Sequence, residues 1–183
     1  MNTLRLVILL IALFAIVFMS TSCSNQFRDK MLKHVQPIDI ERYSGTWFEI
    51  ARFPHRFEKD LVGVTATYTV LPNGRIEVIN KGFKNSLNGV EKIAIGKAKP
   101  AADPDFGHLK VAFFWIFYAD YLVLELDQEN YSYALVGTST PNYLWILSRT
   151  PQMEAETLEM LKAKASQLGY DLEKLEMVEQ LNK

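Results

Sequence analysis

The 183-residue sequence predicts an all-β fold: an eight-stranded antiparallel up-and-down β-barrel with one C-terminal α-helix packed outside. Three observations predict it. From Gly45 onward short segments alternate apolar with polar residues, turn residues separate them at near-regular spacing, and no helical period intervenes before residue 150. Without helices between them, successive strands pair antiparallel rather than through βαβ crossovers.

The elements follow in order. Thr46 to Phe53 is the first strand. In the second, Val64, Ala66, Tyr68 and Val70 alternate with Thr65, Thr67 and Thr69, a period of two. Pro72-Asn73-Gly74 reads as a turn, and Arg75 to Phe83 returns as the other half of a hairpin. Val90 to Ala98, His108 to Phe114, Tyr121 to Asp127, Tyr131 to Thr138 and Asn142 to Arg149 complete the eight. The period then changes. Thr150 suits an N-cap, Pro151 the first helical turn and Gly169 the C′ position, with Leu158, Leu161, Ala165 and Leu168 forming one apolar stripe. Leu175 to Val178 reads as a short final strand.

Residues 1–22 are a separate object. Sixteen of them are apolar, and Leu6 to Met19 is an unbroken apolar run of fourteen. A spanning helix needs about 20 residues, so this run fits the core of a secretory signal, with Arg5 in its positive region. Ser20, Thr21 and Ser22 precede Cys23, the only cysteine. That order resembles a bacterial lipoprotein signal, although Ser20 stands where such signals usually carry Leu. The resemblance implies cleavage before Cys23, acylation of its thiol, and a cell outer membrane location held by the lipid anchor. Residues 23–36 read as a polar, weakly basic tether, and 37–183 as the folded domain.

Composition excludes several functions. With 20 Lys+Arg against 21 Asp+Glu the chain has no excess positive charge for nucleic acid. One cysteine forms neither an internal disulfide nor a cysteine zinc site. His34, His55 and His108 lack metal-ligand spacing and read as surface residues. No nucleophile elbow, phosphate loop or dinucleotide fingerprint is present, so neither a metal, a cofactor nor an enzymatic activity is expected.

Eight strands enclose either packed side chains or one small ligand. Parity groups Ile76, Val78, Asn80 and Gly82 in one strand, and Lys92, Ala94, Gly96 and Ala98 in the next. The face with Tyr68 and these small residues is taken as inward, because the opposite face carries Glu91 and Lys97. Ala66, Gly82, Ala94, Gly96 and Ala98 would then leave space. The apolar wall would comprise Val64, Ala66, Ile76, Val78, Leu109, Val111, Phe113 and Val123. Tyr68, Asn80, Tyr121 and Trp145 would add a few polar groups, a usual pocket composition. Glu125 is read as lying near the rim or closed end, in contact with water.

Gly45-Thr46-Trp47, followed by Phe48-Glu49-Ile50-Ala51-Arg52, is similar to the first signature of the lipocalins. Val64 to Tyr68, Val78 to Gly82, Tyr133 to Gly137 and Tyr143 to Pro151 extend the resemblance to the bacterial outer-membrane lipocalins and their apolipoprotein D relatives. It implies a structural closed end of Gly45, Trp47 and Arg149, with the Arg149 guanidinium over the indole. It also places alternate hairpins at an open mouth, among them the dense run Phe114-Trp115-Ile116-Phe117-Tyr118. An exposed run of that kind marks a binding or membrane surface, so either Trp115 and Phe117 present the mouth to lipid or these side chains fold back and fill the mouth. The implied function is binding and transport of a hydrophobic ligand, a fatty acid or lysophospholipid, in envelope lipid storage, transport or maintenance. A homodimer is compatible with it. The alternatives are a structural lipoprotein with a filled barrel and a lipid-modifying enzyme. Some lipocalins are thiol isomerases, but here the only cysteine precedes the barrel.

Overall fold

The computed structural model describes residues 25–101 and 106–181. Its strands are β1 (Gly45–Arg52), β2 (Leu61–Val70), β3 (Ile76–Lys84), β4 (Glu91–Pro100), β5 (His108–Ala112), β6 (Ala119–Leu126), β7 (Tyr133–Gly137), β8 (Leu144–Ser148) and the short β9 (Glu176–Met177). Each of the first eight pairs antiparallel with its sequence neighbour, and β1 pairs with both β2 and β8, closing the barrel. The expected alternation sets the register: Tyr68 lies opposite Val78 and Ala66 opposite Asn80. Gly74 turns this hairpin at φ 75°, with the Leu71 N–H donating to the Arg75 carbonyl.

Among the described residues three α-helices flank the barrel: α1 (residues 25–32), α2 (Ile40–Tyr43) and α3 (Ala155–Leu168). The segment read as a tether is thus partly folded. Met31 is buried in the outer core, and the Phe27 ring meets Tyr170 edge-on at 5.5 Å. Cys23 and the apolar run before it lie outside the described residues. Helix α3 starts at Ala155, later than Thr150 suggests. The Thr150 hydroxyl donates to the Gln152 carbonyl and its N–H donates to Ser148 Oγ, so these local bonds close a turn that competes with helix. The other end falls where expected, with Gly169 at φ 94° and its N–H on the Ala165 and Ser166 carbonyls.

Two apolar layers result. Inside the barrel Trp47, Tyr68, Ile76, Val78, Leu109, Val123 and Val136 form one cluster. Outside, Ile50, Phe53, Leu122, Leu124, Leu135, Leu144 and Ile146 receive Leu161, Ala165 and Leu168 of α3. Glu125 sits on this outer wall rather than at the rim, because the β6–β7 register shifts between Val123 and Glu125. Its carboxylate lies 2.7 Å from Lys164 of α3.

The seam between β1 and β2 is unusual. Their pairing stops at Phe48 and Thr65, and beyond it both strands carry irregularities. Residues 176–180 fill the resulting gap: Met177 pairs with Ala51, and the Gly63 N–H donates to the Glu179 carbonyl. The Gln180 amide bridges the two strands by donating to the carbonyls of Glu49 and Val64, at 2.7 and 2.9 Å.

Candidate ligand-binding site

The closed end is a stacked cap. Trp47 is fully buried, and its Nε1–H donates to the Tyr43 carbonyl at 2.8 Å. The Arg149 guanidinium lies 3.8 Å from the centre of the indole ring, and donates to the carbonyls of Thr46, Arg42, Tyr43 and Tyr131. Gly45, at φ 94°, lets the chain pass: a Cβ there would come within 3.4 Å of Arg149 Nη1. Above this floor the Tyr68 hydroxyl donates to Tyr121, whose oxygen is 2.7 Å from that of Tyr43. Burial raises all three phenols well above their ordinary range, so the triad is neutral and supplies its own hydrogen bonds.

Ala66, Tyr68, Ile76, Val78, Leu109, Val111, Phe113, Tyr121, Val123 and Trp145 converge on this interior. Five of them, Ala66, Val111, Phe113, Tyr121 and Trp145, are only half-buried although the barrel encloses them, so they line accessible space. The small residues divide. Gly96 and Gly82 leave no vacancy, because Phe113 Cδ1 would lie 2.8 Å from a Cβ at Gly96 and Val64 Cγ2 3.0 Å from one at Gly82. These glycines admit neighbouring side chains instead. Ala94 shares the inward register of Asn80 yet is exposed, so the barrel is open at that level. The Asn80 Oδ1 is buried without a hydrogen-bond partner among the described residues.

Beside the mouth lies a buried charged group that the sequence reading missed. Glu49 and Arg52 face inward, with Arg52 Nη1 2.6 Å from Glu49 Oε1. Arg52 Nη2 donates to the carbonyls of Glu58 and Leu61, pinning the β1–β2 loop. Glu58 Oε2 lies 2.8 Å from His55 Nε2 and accepts from Trp145 Nε1 at 3.4 Å. Burial, with the Glu58 charge, pushes the Glu49 carboxyl well up despite Arg52. Burial would raise Glu58 too, but the hydrogen bond and charge of His55, with Arg52, hold it below the usual range. His55 is not the expected surface residue: its side chain is 8% exposed and packs against Tyr143 and Trp145. A cleft of about 390 Å³ borders this loop, lined in part by Arg52, His55, Lys59 and Glu176. Glu49 was legible, since it lies two residues from Trp47 on the same face; Arg52 was not, because the β1 bulge shifts its parity.

His108 belongs to the outer wall. Its Nε2 and Lys110 Nζ each lie 2.6 Å from Asp120 Oδ1. Burial would raise Asp120, yet the hydrogen bonds from Lys110 and His108 hold it at about 2. A carboxylate lowered in the folded state stabilises above its unfolded pKa, and that stability is lost as pH falls through the folded value. Asp120→Asn should therefore cost about 1 kcal/mol near neutral pH, after discounting for solvent screening, and almost nothing near pH 2. Urea unfolding across this range checks it; a pH-independent difference contradicts the ion-pair origin.

The barrel, its cap and its accessible interior can be set beside known proteins. The profile of the "Lipocalin-like domain" matches residues 38–180. The chain belongs to the lipocalin family. Among lipocalins it is 42% identical over 171 residues to the outer membrane lipoprotein Blc of Escherichia coli (strain K12), covering 93% of this chain and 96% of the relative. It is 35% identical over 154 residues to apolipoprotein D of Bos taurus, covering 79% and 78% of the two chains. The lipocalin fold is also that of lobster apocrustacyanin A1, with a TM-score of 0.62 at 17% identity over 87% of this chain and 86% of that one.

Proposed function

We propose that this protein is a membrane-anchored carrier that binds a fatty acid or lysophospholipid in its barrel and does not transform it. The half-buried interior face carries the reading: Val111, Phe113, Tyr121 and Trp145 line accessible space above a sealed floor. An acyl chain lying there is removed from water at about 25 cal/mol per Å² of apolar surface, enough for micromolar affinity with a long chain. The tyrosine triad satisfies its own hydrogen bonds, so the deep barrel suits a chain's apolar end. Asn80 and the mouth are left for the polar one.

The names of the relatives support an envelope setting, because the Blc proteins of Escherichia coli and Citrobacter freundii are outer membrane lipoproteins. Cleavage before Cys23 and acylation there would give the same anchorage, with storage, transport or maintenance of envelope lipid as the role. Native mass spectrometry of the purified protein should show copurified lipid. Affinity should rise with acyl length, by roughly 0.8 kcal/mol per methylene until the cavity is full. Equal affinity for short and long chains would refute the acyl-burial mechanism. Absence of any titratable lipid would favour a filled, structural barrel.

A further inference from the structure

We infer that the barrel docks mouth-first on an anionic lipid bilayer, at the same end from which its N-terminal segment emerges. The exposed apolar side chains are concentrated at one end. Trp115 is 87% exposed, Phe117 78% and Ile116 75%, all in the β5–β6 loop. Phe57 of the β1–β2 loop meets Phe114 at 6.3 Å, so loops from opposite walls form a continuous apolar rim. Ile93 and Ile95, exposed on the outer face of β4, extend it along the wall. Trp115 also holds φ 47°, an unfavourable backbone for a bulky side chain. The described loops of the closed end instead mix Asp39, Glu41, Asp127 and Glu129 with Arg42 and Arg75, and expose one large ring, Phe106.

Charge complementarity selects the occupant. Arg56, Lys59 and Lys92 are exposed around the mouth and form no ion pair among the described residues, Arg56 lying over the Phe57 ring. The acids nearby are mostly committed: Glu58 to His55, Asp60 to Lys84 and Glu91 to Lys81, leaving Glu176 beside the loop. Aromatic side chains ringed by exposed cations suit the interfacial zone of a bilayer bearing phosphate headgroups.

The path of the chain gives the same orientation independently. Phe27, near the start of α1, packs on Tyr170, which in turn meets Phe53 just beyond β1 at 5.8 Å. The Tyr170 hydroxyl lies beside Gly137, at the mouth end of β7. From there the chain descends to Asp39, whose N–H donates to the Tyr131 hydroxyl at the closed end. The described chain, which begins two residues after Cys23, therefore starts at the mouth side. A tether from that end and the aromatic rim act on the same surface.

The test uses the lipidated full-length chain reconstituted in phosphatidylethanolamine–phosphatidylglycerol vesicles with brominated acyl chains. Trp145 reports lipid taken into the barrel, so docking is read in a W145F chain as the emission lost on adding a W115F substitution, the remaining Trp47 being fully buried at the closed end; failure of either reading leaves the other measurable. Docking predicts strong quenching of Trp115 by the brominated lipid and little by aqueous iodide. Substituting Arg56, Lys59 and Lys92 by Glu should weaken docking at least about fivefold per cation, since each contributes about 1 kcal/mol near an anionic surface. Quenching by iodide alone would overturn the inference. So would shielding of Trp115 from both quenchers, which a second copy seated on the mouth would produce. Equal quenching after charge reversal would overturn the selection of anionic lipid.

Discussion

Arg52→Ala should lower the unfolding free energy by about 3–5 kcal/mol, the cost of leaving buried charges without their partner. The side chains of Arg52 and Glu49 are 8% and 5% exposed. Removing the guanidinium strands the Glu49 carboxyl, and it also frees the carbonyls of Glu58 and Leu61 that Arg52 ties down. The β1–β2 loop should then loosen, with faster amide exchange at residues 55–61. A double variant, Glu49→Leu with Arg52→Met, should recover the part due to the stranded Glu49 carboxyl but not the bonds to Glu58 and Leu61, since well-packed apolar residues often replace a buried ion pair at little cost. Chemical denaturation of the three chains decides it. A single-variant loss under about 1 kcal/mol would mean that water reaches the pair and screens it.

The second large effect belongs to the closed end. Arg149→Ala should cost about 3 kcal/mol, from charge-assisted bonds to four backbone carbonyls and the stack on Trp47. Arg149→Lys should recover little of it, because a compact ammonium cannot cover the ring while spanning carbonyls on three separate segments. A double-mutant cycle with Trp47→Phe isolates the stacking part, expected at about 0.5–2 kcal/mol. Thermal and urea unfolding give both numbers. Full rescue by Lys would show that charge alone matters there.

Much of the barrel was legible because strand alternation is a local property. Threonines at 65, 67 and 69 and apolar residues between them could face only two ways, and the Pro72-Asn73-Gly74 turn fixed the hairpin. What escaped depends on contacts distant in sequence. Arg52 faces inward because β1 bulges where residues 176–180 dock against it, and no window around Arg52 contains that information. His55 looked like a loop histidine until Tyr143 and Trp145 closed on it from the far end of the chain. Gly82 and Gly96 read as cavity-makers, since spacing does not show that Val64 and Phe113 occupy the room they leave. The helix start was misplaced for the opposite reason: Thr150 has a local alternative, a turn with Ser148 and Gln152, that satisfies it better.

The bridged seam between β1 and β2 has a kinetic consequence. Gln180 joins Glu49 to Val64, so the strands that begin the barrel are fastened by a single residue 131 positions after the one and 116 after the other. A chain emerging from the ribosome or a translocation pore can build its hairpins in turn and bring β8 onto β1, but the gap between the upper halves of β1 and β2 stays open until that glutamine arrives. Closure is therefore a late, long-range event, slowed by the entropy of bringing distant segments together. The upper edges of β1 and β2 stay unpaired throughout, available to other strands as well as to their own latch.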